Sequence, residues 1–242
     1  LRVPLRLVPG WSPGAPSIRL AVAAYDADAR AKPSIEKTLT TSPITAADKL
    51  GTTEFAGSGA TLDAFLRDRK LAARDIAFDR VAHVLPTGRA RVILAGHTLA
   101  VLGDEYLYVE LPTGSAKDVL EVRLANLTGD GQESILVRYR ESYGRGTREV
   151  LAVFRAAGDG LHRTLGVETG KTVGTNRLAC RVTNVTRGAA TDIVVEPLPA
   201  AGWTASTYRE ERDDDLVPIL LPWSGAKRAR FQFRGDDYVR SE

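Results

Sequence analysis

From residue 76 to the C-terminus the chain is a succession of short apolar or alternating runs, and this most limits what it can fold into. The runs are Ile76 to Leu85, Ala90 to Leu94, Leu99 to Leu102, Tyr106 to Leu111, Leu120 to Leu124, Ile135 to Tyr139, Glu149 to Phe154, Arg177 to Val182, Ile193 to Glu196, Val217 to Leu221 and Arg230 to Phe233. Turn signals separate them, among them Pro86-Thr87-Gly88, Gly103-Asp104, Pro112-Thr113-Gly114, Gly129-Asp130-Gly131 and Gly158-Asp159-Gly160. Closely spaced short strands predict an all-β sandwich, barrel or propeller.

Residues 1–75 read differently. Six of the 12 prolines, Pro4, Pro9, Pro13, Pro16, Pro33 and Pro43, fall there, and each removes a backbone donor and fixes φ. Ser17 to Ala24 alternates like a strand. Thr61 to Ala73 carries Leu62, Phe65 and Leu66 at helical spacing, with Ser58 or Thr61 as a cap. The expected organisation is an irregular segment with one short helix over residues 1–75 and a β domain over 76–242.

The longest apolar runs are a few residues, too short for a membrane-spanning helix. One cysteine, Cys180, excludes an internal disulfide framework and a thiolate-rich zinc site. The net charge is only +3, and no basic block of five or six residues occurs. Lys227 to Arg234 (KRARFQFR) alternates basic with apolar residues. That pattern predicts a charge-guarded edge strand, and a nucleic-acid groove is the weaker alternative. The 242-residue sequence contains no methionine, which suggests a processed product or a fragment.

Two stretches align without a gap at an offset of 58 residues: Val122 to Val137 (VRLANLTGDGQESILV) and Cys180 to Val195 (CRVTNVTRGAATDIVV). Arg123, Asn126, Thr128, Ile135 and Val137 match Arg181, Asn184, Thr186, Ile193 and Val195. Each reads as strand, polar loop, strand, and a run ending in an aromatic follows each. A repeated β unit is the expectation, over about residues 115–170 and 175–235.

The first loop, Asn126-Leu-Thr128-Gly-Asp130-Gly131, resembles the calcium loop of FG-GAP repeats, the integrin α-like or VCBS-type repeats of β-propellers. The likeness covers roughly residues 100–242. It implies a mainly β fold, as a propeller-like or sandwich arrangement of repeat units. It further implies an extracellular, periplasmic or cell-surface protein that binds proteins or glycans. Mapped on the pattern, the cation ligands are Asn126, Thr128 and Asp130, with Glu133 substituting for Ser134 at the last position. The second copy offers Asn184, Thr186, Gly188 and Asp192. Carboxylates are lacking at the first and last positions of the first loop, so Ca²⁺ is held weakly or not at all. Asx- and ST-turns would keep the same loop shape without a metal.

Catalytic patterns are sparse. Gly10-Trp11-Ser12-Pro13-Gly14 matches a nucleophile elbow in letters, but Pro13 and Pro16 oppose the helix it needs. Gly166 to Thr172 is one residue short of a P-loop and reads as a hairpin turn. His83, His97 and His162 lie in separate segments. Asn126 and Asn184 each begin an N-x-T sequon, and Arg234-Gly235-Asp236 is an integrin-ligand tripeptide. Tyr106, Tyr108, Tyr139, Tyr143, Trp203 and Trp223 form either a recognition surface or sheet-packing contacts. The leading expectation is a non-catalytic protein for adhesion, matrix or assembly, with self-pairing as a variant. A secreted hydrolase using Ser12, or a carboxylate near His162, is the alternative.

Overall fold

The computed structural model describes residues 19–24, 35–40, 59–103, 105–157, 160–210 and 215–241. The chain divides into two compact units, Leu1–Phe55 and Ala56–Glu242. In the first, β1 (Arg19–Ala24) pairs antiparallel with β2 (Ile35–Thr40). Ser12 and the surrounding Gly-x-Ser-x-Gly pattern lie outside the described residues, as does Ser58.

The second unit opens with α1 (Gly59–Asp68), shorter than the Thr61 to Ala73 expected. Its stop is a Schellman-type turn. The Leu71 amide donates to Leu66 O (2.7 Å) and the Lys70 amide to Arg67 O (3.1 Å), with Lys70 at φ 55°. Leu71, just past the turn, packs against the apolar cluster that holds Leu66.

Three four-stranded antiparallel meanders follow in chain order. The first is β3 (Ile76–Leu85), β4 (Gly88–Ala95), β5 (Thr98–Leu102) and β6 (Tyr106–Glu110). The second is β7 (Val119–Ala125), β8 (Ser134–Tyr143), β9 (Gly146–Ala157) and β10 (Gly160–Val173). The third is β11 (Asn176–Arg187), β12 (Ala190–Pro197), β13 (Ala229–Arg234) and β14 (Asp237–Arg240). The second and third join into one eight-stranded sheet, but only through Gly170 to Val173 of β10 against Asn176 to Ala179 of β11. Among the described residues the sheets do not close into a ring.

Alternation puts the apolar residues of each strand on defined faces. Phe65 and Leu66 of α1 bury against Ile93, Ala95, Ala100 and Leu102 on one face of the first meander. Its other face, with Val92, Leu94, Leu99 and Val101, is also buried, and β3 and β6 lie beside β9 and β10. Beyond the corner at Gly170 to Ala179 the eight-stranded sheet folds over itself. Leu136, Leu151, Val153, Leu165 and Val167 of the second meander thereby share one core with Ile193, Val195, Ala229 and Phe231 of the third. The second meander is therefore a central layer, covered on both sides.

Where β10 and β11 diverge, the long connection between β12 and β13 fills the gap. The Val217 amide donates to Gly166 O (2.9 Å), and Cys180 Sγ–H of β11 points to Leu220 O (3.6 Å). Val217 to Leu221 is thus not the full strand its sequence predicts. It makes a single parallel bridge, Val217 with Val167. Two other local expectations are corrected. Gly166 to Thr172 lies inside β10 and is not a turn, and the basic run around Arg230 is β13, which is flanked by β12 and β14 and is not an edge.

Candidate binding site

The loop after β7 carries the residues picked out by sequence. The Gly129 amide donates to Asn126 Oδ1 (2.8 Å), an Asx-type turn. Thr128 Oγ1–H donates to Asp130 Oδ1 (2.7 Å), and the Gln132 amide donates to the same oxygen (3.0 Å). Asn126, Thr128 and Asp130 therefore sit together, bound to their own loop.

Arg155 of β9, which the sequence did not suggest, occupies the middle of this group. Its Nη1 donates to Thr128 Oγ1 (2.6 Å), and its Nη2 donates to Asp130 Oδ2 (2.7 Å) and Gln132 Oε1 (2.8 Å). The guanidinium also stacks 5.2 Å from the Phe233 ring centroid. Burial pushes the Asp130 carboxyl up. Hydrogen bonds from Thr128, Arg155 and the Gln132 amide, with the Arg155 charge, outweigh it and hold the group below its ordinary value. The one available signal was a charged residue inside the apolar run Val150 to Ala157, which asks for a buried partner.

Gln132 completes the brace. Its Nε2 donates to Val84 O (2.7 Å) and Ala156 O (2.8 Å), tying the first meander to the second. Glu133 points elsewhere: its carboxylate accepts the His83 amide (2.9 Å) and its own amide donates to His83 O (2.6 Å). His83 Nδ1–H donates to Gly131 O (2.9 Å).

This donor set does not fit a divalent cation. It offers one carboxylate, Asp130, and a fixed positive group already satisfies it, whereas calcium needs several anionic oxygens. Among the described residues no three His, Cys, Asp or Glu side chains converge as metal ligands.

The second repeat copy is placed differently. β11 and β12 are the first two strands of their meander, as β7 and β8 are of theirs, so the repeat falls on equivalent strands. Yet Asn184 lies within β11, paired with Ile193, and the reversal is the two-residue turn Gly188-Ala189. Asn126 lies in an eight-residue loop between Ala125 and Ser134. The two tips meet: the Thr191 amide donates to Leu127 O (2.7 Å).

A cleft of about 530 Å³ opens beside Arg155, lined also by Asp130, Gln132, His162, Thr164, Phe233 and Asp236. His162 and Asp236 are exposed at its rim, while Thr164 and Gln132 are buried in its wall. Its volume falls within the roughly 300–1,000 Å³ of small-ligand sites. Arg234-Gly235-Asp236 forms the tip of the β13–β14 hairpin next to it, with Gly235 at φ 65°.

A second polar group is fully internal. Glu141, Arg148, Glu168 and Lys171, on three adjacent strands, are each less than 10 % exposed. Arg148 bonds Glu141 and reaches Glu168 (3.3 Å), and Lys171 Nζ lies 3.4 Å from Glu168 Oε2 and from Tyr208 O–H. Both cations lie over the Tyr143 ring, at 4.3 and 4.8 Å. Of the aromatics suggested for a recognition surface, Tyr139 is buried, Trp203 and Trp223 are half-buried and pack edge-on against Tyr208, and Tyr108 is exposed. Cys180 is equally unsuited to nucleophilic work, since burial pushes its thiol up to about 11.

No helix among the described residues is long and apolar enough to cross a membrane. No protein-family model matches the chain, and no curated protein and no solved structure matches it.

Proposed function

We propose that this chain is a non-catalytic β-repeat module of the FG-GAP or VCBS kind that acts outside the cytoplasm, in adhesion or assembly, by binding a protein or glycan. The cleft beside Arg155 carries this reading. Its floor is polar yet fixed, because Arg155, Asp130, Thr128 and Gln132 satisfy one another, and fixed polar groups beside an aromatic ring suit recognition of a hydroxyl-rich partner. The kinship is supported by serial four-stranded meanders, the strand count of a propeller blade, and by the repeat falling on their first two strands.

A glycan and polysaccharide array probed with the purified protein tests it. Binding that is lost in His162→Ala and in Asp236→Asn supports the reading. Absence of binding to glycans and to surface-protein extracts overturns it. One observation favours a hydrolase as the second reading: His162 shares the cleft with two carboxylates, Asp130 and Asp236. Turnover on an ester and glycoside panel, abolished by His162→Ala, would establish that instead.

A further inference from the structure

A smaller cavity, of about 240 Å³, lies elsewhere on the unit and shares no lining residue with the Arg155 cleft. Glu121, Arg123, Leu136, Arg138, Leu151, Val182 and Asn184 line it. Strand register explains the set. Glu121 faces Arg138, Arg123 faces Leu136, and Arg138 faces Leu151 across β7, β8 and β9. Val182 and Asn184 project from the same side of β11, which the folded sheet brings over these strands.

Its chemistry is asymmetric. Leu136 and Leu151 are 4 % and 3 % exposed and, with Val182, make an apolar floor. Among the described residues Arg123 has no ion-pair or side-chain hydrogen-bond partner, and neither does the Asn184 amide; both residues are exposed at the mouth of the cavity. Arg138 is only loosely matched, 3.8 Å from Glu121 and 3.6 Å from Glu149, and Glu149 is taken more closely by Arg140 (2.8 Å). Arg138 Nε is shut off from solvent without an acceptor. With Glu121 turned to Arg138, an apolar wall beside the exposed, unpaired Arg123 guanidinium and the Asn184 amide is complementary to an anionic oxygen pair on a short apolar body.

We infer that this cavity is a binding site for a small carboxylate with a branched apolar body, of about amino-acid size. The volume lies below the range of drug-sized pockets, which sets the size limit. The carboxylate pairs with Arg123 and takes the free Asn184 amide, and the alkyl group rests on Leu136, Leu151 and Val182. The inference is independent of the proposed function, because the two sites have no residue in common.

Titration of the full chain with N-acetyl-leucine, followed by NMR chemical shifts, tests it. Saturable binding is expected in the millimolar range or tighter, as befits so small a ligand. N-acetyl-leucinamide, which lacks the charge, and acetate, which lacks the body, each bind at least about tenfold more weakly. Arg123→Gln weakens N-acetyl-leucine by a similar factor and leaves the thermal midpoint unchanged, since Arg123 supports nothing else. Gly-Gly-Leu binding more tightly than N-acetyl-leucine assigns the carboxylate to a peptide C-terminus, and weaker binding assigns it to a free acid. The inference is overturned by no saturable shift, by an amide that binds as well as the acid, or by an Arg123→Gln protein that binds as before.

Discussion

Arg155 Nη2 lies 2.7 Å from Asp130 Oδ2, so a cation carried by β9 takes up the acidic group of the loop between β7 and β8. The same guanidinium holds Thr128 and Gln132, and through Gln132 the first meander is fastened to the second. A loop that resembles a metal-binding turn is in this way built around a side chain.

Arg155→Gln is expected to cost about 2 kcal/mol of stability, because three charge-assisted bonds are lost and the exposure of Asp130 discounts its share. The Asp130 carboxyl should titrate at higher pH in this variant, since burial remains and the charge that opposed it is gone. In the wild type a depressed carboxyl contributes stability above its unfolded value and loses it as pH falls through the folded one. Carboxyl-carbon NMR titration and urea unfolding at two pH values check both parts.

Calcium should neither raise the melting temperature nor give a binding heat assignable to Asp130. Asp130→Ala is the control, and its calorimetric trace with Ca²⁺ should superimpose on that of the wild type. A wild-type heat that this substitution abolishes would restore the metal loop.

Glu168→Ala should cost about 3–5 kcal/mol, because it leaves Lys171 buried without its carboxylate and Arg148 with Glu141 alone. It also removes the acceptor of the Ile219 amide and so loosens the β12–β13 connection. Glu168→Gln with Lys171→Met should cost less than the sum of the single changes. Denaturant midpoints of the four proteins decide this.

Gly129→Ala should destabilise by about 2 kcal/mol or more. Gly129 sits at φ 79°, and a Cβ there would lie 2.5 Å from Ala189 O. The loss should appear first as faster hydrogen exchange at Thr191, whose amide bonds Leu127 across the same contact.

Alkaline pH should unfold the protein in a definite window. Burial pushes Cys180 up to about 11 and both Tyr139 and Tyr238 up to about 12. Each group therefore binds its proton more tightly when folded, so stability is full below the unfolded values and falls as pH rises toward the folded ones. Melting temperature should decline between about pH 9 and 12, and Cys180 should resist alkylation at neutral pH.

Strand positions were legible in most of the apolar or alternating runs: Ile76 to Leu85 is β3 and Ile193 to Glu196 lies in β12, whereas Val217 to Leu221 forms only a bridge. β10 was not legible. His162, Arg163, Glu168 and Lys171, with three glycines, read as turn, and two register shifts break its pairing with β9. Its charges are affordable only because Arg148 and Tyr208, distant in sequence, neutralise and cover them. The loop residues Asn126, Thr128 and Asp130 were visible because short polar side chains around glycines bond locally. Arg155 was not, since its partner is set by the register that places Ile135 opposite Phe154.

Local chemistry, the period of two and the Gly, Pro and Asp punctuation, decided that this chain would be built of short antiparallel strands, because those signals act within a few residues. Which charges pair inside, which strands lie against each other and where Asn184 ends up were decided only when the sheet folded at Gly170 to Ala179. Those are contacts between residues tens of positions apart, and no local pattern encodes the distance between them.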